Sequence, residues 1–133
     1  MRPLLSALAV AVTIVAGGCS DSLGPQSIAG TWSESFTIPG NSFVMQLTVA
    51  GSDVSGIAHG CGEAGTCASS VITGASDGTG VHLDIASTSD ASPQTVTISF
   101  FDGTFVNRNT LRGTLVYLVP PDAADSQITF TRQ

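Results

Sequence analysis

The sequence predicts an all-β protein, an eight-stranded antiparallel up-and-down barrel that follows an N-terminal signal segment. Apolar and polar side chains alternate along most of the chain, which is the pattern of strands with one buried face. Turn-forming residues interrupt this alternation about every 13 residues, as expected for a run of hairpins. β-Branched residues dominate the apolar positions, and no stretch after the signal segment keeps the 3.6-residue period of a helix. A β-sandwich with Greek-key crossings is the alternative fold for the same pattern.

The first 18 residues have the three parts of a secretory signal peptide. Arg2 supplies the positive charge, Leu4 to Ala16 form the apolar run, and small residues precede the cleavage point. This run is shorter than the about 20 apolar residues that a membrane-spanning helix needs. We therefore assign residues 1–18 to a signal peptide, residues 19–27 to a polar tether, and residues 28–133 to a single domain with one core.

Ala16-Gly17-Gly18-Cys19 resembles the lipobox of bacterial lipoproteins, in which the cysteine thiol takes a diacylglyceryl group and cleavage falls just before it. The resemblance implies that Cys19 is lipidated and that a membrane is the protein's first partner. A multiply acylated cysteine gives firm anchoring, whereas one acyl chain binds only marginally. In these lipoproteins, serine at the next position, here Ser20, favours the outer membrane. The alternative is an ordinary signal peptide whose cleavage leaves a free thiol.

Four strands are predicted in the first half of the domain. Their predicted ranges are Ile28 to Ile38, Ser42 to Ala50, Val54 to His59, and Ser70 to Ser76. Pro39-Gly40-Asn41 and Gly51-Ser52-Asp53 supply the first two turns, because these residue types favour turn conformations. The strands are therefore expected to pair as consecutive hairpins.

The second half continues the pattern with four more strands. Asp77-Gly78-Thr79-Gly80 predicts a hairpin turn, followed by a strand in which Val81, Leu83 and Ile85 share one face. Ser87 to Pro93 is predicted to be a polar loop, and Thr95 to Phe100 the sixth strand. Asp102-Gly103 leaves two possibilities open, a loop through Asn109 or a strand continued by Phe105 and Val106.

The last two strands are predicted at Leu111 to Val119 and Gln127 to Arg132, with Pro120 to Ser126 as a loop between them. The side chains expected to point inward are Trp32, Phe36, Phe43, Met45, Leu47, Val49, Val54, Val81, Leu83, Ile85, Val96, Ile98, Phe100, Leu115, Tyr117, Ile128 and Phe130. This set has enough bulk to fill a small barrel of eight strands. Gly56 and Gly113 are expected to leave space on their strands, which would allow a pocket at the mouth instead.

Gly30-Thr31-Trp32 in the first strand and Phe130-Thr131-Arg132 in the last resemble the Gly-x-Trp motif and closing arginine of lipocalin-like barrels. The resemblance implies that the first and last strands pair and that Arg132 covers the indole of Trp32. Such a cation–π contact is worth about 0.5 to 2 kcal/mol. Small bacterial metalloprotease-inhibitor barrels open similarly, and in them an N-terminal segment enters the protease. That role is open to Ser20 to Ser27 only without the lipid anchor.

Cys61 and Cys67 enclose a short loop and are placed to form a disulfide across a hairpin, as expected in an oxidising compartment. With His59 they also form part of a possible zinc-ligand pattern, but only three ligands are in view, and His82 would have to come from elsewhere. We expect the disulfide, no metal and no cofactor.

Glu34 shares strand parity with Trp32, so its carboxylate points inward unless a bulge intervenes. A buried carboxylate needs a partner, a wet cavity or a position near the rim. Glu34, with Tyr117, is therefore the candidate polar anchor for a ligand.

Charge and motif content exclude several classes of function. The chain after residue 18 has no lysine and three arginines against ten acidic residues, too few cations to neutralise a nucleic-acid backbone. No nucleophile elbow or phosphate-binding glycine loop is present. We expect a non-catalytic interaction or structural module of the envelope, partnered by an envelope protein. The alternatives are a carrier of a small apolar ligand and a protease-inhibitor-like barrel.

Overall fold

The barrel is formed by eight strands in chain order. A computed structural model describes residues 25–34, 40–62, 65, 67–89 and 92–133, with residues 88, 89 and 92–96 described as backbone only. The strands are β1 (Gly30–Glu34), β2 (Ser42–Ala50), β3 (Asp53–Cys61), β4 (Cys67–Ser76), β5 (Gly80–Ser89), β6 (Ser92–Asn107), β7 (Thr110–Tyr117) and β8 (Ser126–Arg132). Within these ranges no helix has the length and apolar character needed to cross a membrane.

Each strand pairs antiparallel with its sequence neighbours, and β1 also pairs with β8. The closing pair aligns Trp32 with Arg132 and Glu34 with Phe130. The predicted up-and-down barrel is thereby confirmed, and the sandwich alternative is wrong. Closure removes the free strand edges through which β-proteins aggregate. The eight described strands supply every pair of the closed ring.

One end of the barrel is closed by the N-terminal segment, residues 25–29, which we call the cap. Ile28 is fully buried, and the backbone N–H of Gln26 donates to the carbonyl of Gly78 over 2.8 Å. Arg132 donates to the carbonyls of Ser27 and Ala29. Residues 25–27, which we expected in the tether, therefore lie against the barrel.

Trp32 and Arg132 connect the cap to the closing strand pair. The indole Nε1–H donates to the carbonyl of Ile28 over 2.8 Å, and the Arg132 guanidinium carbon lies 4.3 Å from the centroid of the Trp32 ring. The structure thus brings together the two residues that the lipocalin resemblance pairs, and the same arginine also binds the cap.

Three tight turns lie at the closed end, between β2 and β3, β4 and β5, and β6 and β7. In the second, the Asp77 carboxylate accepts hydrogen bonds from the backbone N–H groups of Gly80 and Thr79 and from the Thr79 hydroxyl. These bonds stabilise the ionised form and lower the pKa of Asp77 to about 2. Gly51 and Gly78 have positive φ values of 65° and 86°, which glycine adopts without strain.

The sixth strand differs most from its predicted range. It continues through Asp102-Gly103 to Asn107, so the strand alternative for Phe105 and Val106 is correct. Most of the loop expected at Ser87 to Pro93 is strand, since β5 runs to Ser89 and β6 starts at Ser92.

A register shift between Ile85 and Ala86 reverses the predicted parity of β6. A bulge of this kind inserts one unpaired residue, here Ile98, and exchanges the two faces of the strand beyond it. Phe101 is therefore fully buried, and Phe100, which we expected inward, lies outside against the ring of His82 at 5.4 Å.

The core fills the half of the barrel next to the cap. Its members are Ile28, Trp32, Met45, Leu47, Val54, Ala58, Ile72, Val81, Leu83, Ile85, Phe101, Phe105, Leu111, Ile128 and Phe130. Val49, expected inward, is exposed at the end of β2, and Phe43 and Leu115 are only partly buried. The side chains of Phe36 and Val96 lie outside the described residues.

The expectation that Gly56 and Gly113 leave space for a pocket is wrong. A Cβ atom at Gly56 would lie 2.1 Å from the carbonyl oxygen of Gln46, and one at Gly113 would lie 2.0 Å from that of Asp102. Both glycines are therefore required by the close approach of neighbouring strands.

Candidate binding cavity at the barrel mouth

The end of the barrel opposite the cap contains a cavity of about 330 Å³. Its lining residues are Glu34, Phe43, Ser70, Ile85, Ile98, Ser99, Leu115, Tyr117, Ser126, Gln127 and Ile128. Three larger grooves, of about 530, 510 and 360 Å³, are more open to solvent, and the first two lie at the closed end. The mouth cavity reaches the interior, since the buried side chains of Ile85, Ser99 and Ile128 line it. A concave site with an apolar wall and a few polar groups is typical of ligand binding.

Glu34 lies at the end of β1, and its carboxylate lines the cavity. The side chain is half-buried, and this burial raises the pKa of the carboxyl above its ordinary value, because the charged form loses water. Among the described residues the carboxylate has no hydrogen-bond or ion-pair partner. Strand parity alone allowed Glu34 either to point inward or to lie near the rim. In the structure both are true, because the side chain lines a cavity at the open end of the barrel.

Tyr117 and Ser99 face each other across the pairing of β7 with β6, and both line the cavity. Ser99 is only 4% exposed. Neither hydroxyl has a partner within the part of the chain that the structure describes. Because no described group occupies their hydrogen-bonding capacity, these two hydroxyls and the partly buried Glu34 carboxylate are available to bind a ligand.

Sequence reasoning found Glu34 and Tyr117 but missed Ser99. The alternation before the bulge assigns Ser99 to the outer face, and only the extra residue Ile98 turns it inward. No turn-forming residue marks this bulge, so the local sequence gives no signal for it.

Cys61 and Cys67 are register partners at the mouth end of the β3–β4 hairpin and form the expected disulfide. His59 lies beside them, with Nδ1 3.1 Å from the Ser69 hydroxyl and Nε2 3.8 Å from the sulfur of Cys61. The ligand form of cysteine is the thiolate. Because both sulfurs are joined to each other, they cannot serve as zinc ligands in this state.

We predict that replacing Cys61 and Cys67 together by serine lowers the free energy of unfolding by about 2.4 kcal/mol, the chain-entropy value for so short a loop. Urea unfolding followed by circular dichroism measures this change. As a control, a reductant should destabilise the wild type to the same extent and leave the double variant unchanged. Equal stability of the oxidised protein and the double variant would contradict the prediction.

His82 forms a separate polar cluster on the outer wall, at the closed end. Its Nδ1 lies 2.5 Å from Asp102 Oδ1, and its Nε2 lies 3.4 Å from Asp84 Oδ1. The hydrogen bond to Asp102 raises the pKa of the imidazole above its ordinary value. All three side chains are about half exposed, so the cluster is a surface ion pair that contributes little to the free energy of unfolding.

Neither the protein-family models nor the curated proteins include a match to this sequence.

Proposed function

We propose that this protein is a lipid-anchored, non-catalytic protein of the bacterial cell envelope whose barrel mouth binds a small, largely apolar ligand. The observation that supports binding is the set of three unpartnered polar groups, from Glu34, Ser99 and Tyr117, in a cavity above a filled core. Apolar walls hold the body of a ligand, and a few polar groups set its orientation. A carrier of a small apolar ligand, the alternative function expected from the sequence, is therefore preferred to a filled interaction module.

The anchoring part of the proposal depends on the sequence alone. Cys19 and the residues before it lie outside the described residues, and the support for lipidation is the lipobox-like Ala16-Gly17-Gly18-Cys19. Ser20 supports placement at the outer membrane. The cap contacts do not favour the protease-inhibitor alternative, because residues 25–29 are bound to their own barrel.

The interaction module is retained as a second candidate for one specific reason. Leu118 and Val119, in the β7–β8 connection at the mouth, are 43% and 57% exposed. Adjacent exposed apolar side chains on a loop are typical of a protein contact. An envelope protein docking there would also cover the cavity.

Native mass spectrometry of residues 20–133, secreted with the disulfide formed and mixed with an extract of its own cell envelope, tests ligand binding. We expect one small-molecule adduct per chain. Ser99→Leu should abolish it by filling the cavity floor, whereas Thr97→Leu on the exposed face of the same strand should retain it. The absence of an adduct on the wild type, or an equal adduct on both variants, would refute the binding role.

A further inference from the structure

The three arginines of the domain are all remote from the mouth. Arg132 lies over Trp32 and binds the cap, and Arg108 is in the β6–β7 turn, where its carbonyl accepts a hydrogen bond from Arg132. Arg112 pairs with Thr104, which in turn pairs with Gly80 at the closed end. Because the sequence contains no lysine, the mouth as formed by the described residues has no lysine or arginine to pair with an anionic ligand.

Three of the described acidic residues, in contrast, lie at the mouth. Glu34 lines the cavity, and Asp122 and Asp125 are exposed in the β7–β8 connection. Charges of one sign around a cleft raise the local concentration of counter-ions. The potential at the mouth therefore favours cations.

We propose, on the basis of the proposed binding role, that the cavity selects a ligand with an ammonium group on a small apolar body, and that the Glu34 carboxylate is its counter-ion. A half-buried carboxylate without a partner is stabilised by a cation that replaces its lost water. The Ser99 and Tyr117 oxygens accept the remaining N–H hydrogen bonds of the ammonium group. A ligand carboxylate would instead meet Glu34 with no cation between them, which opposes binding.

The apolar part of the ligand must be short. If each non-hydrogen atom takes about the 30 Å³ that one molecule occupies in liquid water, a cavity of about 330 Å³ holds roughly ten such atoms. Phe43, Ile85 and Leu115 supply the apolar wall. An unbranched eight-carbon chain with one head group matches this size.

The geometry also sets the pH dependence of binding. Tyr117 is the other titratable side chain that lines the cavity among the described residues, and the β8 partner of Glu34 is Phe130. Asp122 and Asp125 lie in the adjacent connection. Because burial raises the pKa of Glu34, the carboxylate is ionised only above that raised value. Affinity for an ammonium ligand therefore decreases as the pH falls through it.

Titration calorimetry of oxidised residues 20–133 at pH 7.5 with octylamine, 1-octanol and octanoate tests the proposal. We expect octylamine to bind at least tenfold more tightly than octanol, and octanoate more weakly than either. Glu34→Gln should reduce the octylamine affinity to that of octanol, while the octanol affinity stays within twofold. Asp125→Asn, a matched loss of an exposed carboxylate at the same end, should change octylamine binding less than twofold.

The outcomes separate the two proposals. Octanol or octanoate binding as tightly as octylamine, or Glu34→Gln with unchanged selectivity, would overturn the ammonium ligand and leave the binding cavity intact. Failure of all three probes to bind would overturn the binding role itself. Matching thermal unfolding of Glu34→Gln and the wild type verifies that the variant is folded.

Discussion

Replacement of Trp32 by alanine is expected to lower the free energy of unfolding by about 4 to 5 kcal/mol, a large fraction of the stability of a small domain. The indole is fully buried, packs against Phe105 with ring centroids 6.1 Å apart, and donates a hydrogen bond to Ile28. Alanine leaves a cavity, an unpaired carbonyl and an uncovered Arg132. Because Trp32 is the only tryptophan, urea unfolding is followed by far-UV circular dichroism.

Two further variants provide comparisons for the loss of stability expected from Trp32→Ala. Trp32→Phe keeps an aromatic ring but loses the hydrogen bond, so about half of the destabilisation is expected. Val106→Ala, at an exposed position of β6 next to Phe105, should change stability by less than about 0.5 kcal/mol. A Trp32→Ala loss as small as that of Val106→Ala would show that the cap and the closing strand pair do not depend on the indole.

Replacement of Gly113 by alanine is expected to destabilise the barrel by about 3 kcal/mol or more, although only one methyl group is added. The new Cβ would lie 2.0 Å from the Asp102 carbonyl oxygen and 2.5 Å from Gly103 Cα, which faces Gly113 in the pairing of β6 with β7. Both obstacles are backbone atoms, so relief requires the strands to separate and their hydrogen bonds to lengthen.

Gly62→Ala is the matched control for this prediction. A Cβ atom at Gly62 would meet nothing within 4 Å, so a change within about 0.5 kcal/mol is expected. Thermal unfolding of both variants measures the difference. Similar melting temperatures for the two proteins would mean that the β6–β7 pair accommodates the methyl group, contrary to the geometry.

The number of strands and their pairing could be predicted because the alternation and the turn residues are both local. A strand is indicated by the alternation from Phe43 to Val49, and a turn is indicated by Asp77-Gly78. Consecutive hairpins then determine the antiparallel order of the strands. The pairing of Trp32 with Arg132 follows from closure of the ring.

What could not be predicted depends on contacts between strands. The bulge at Ile98 is defined by the pairing of β5 with β6, and it determines that Ser99 and Phe101, rather than Phe100, point inward. The role of the glycines could not be predicted for the same reason. A glycine in a strand is equally compatible with open space beside the strand and with the close approach of a neighbouring strand. At Gly56 and Gly113 the neighbouring strand approaches closely. The cavity lies at the barrel mouth instead, and neither glycine lines it.

If Cys19 carries the proposed lipid, the attachment of the cap to the closed end also favours one orientation of the barrel. The chain enters the barrel there, and five residues lie between Cys19, the proposed site of the lipid, and Pro25, a reach of at most about 20 Å. Such a short tether would hold the closed end near the bilayer. The open mouth would then face the aqueous space. Cargo would then arrive from solution or from another protein rather than by lateral exchange with the membrane.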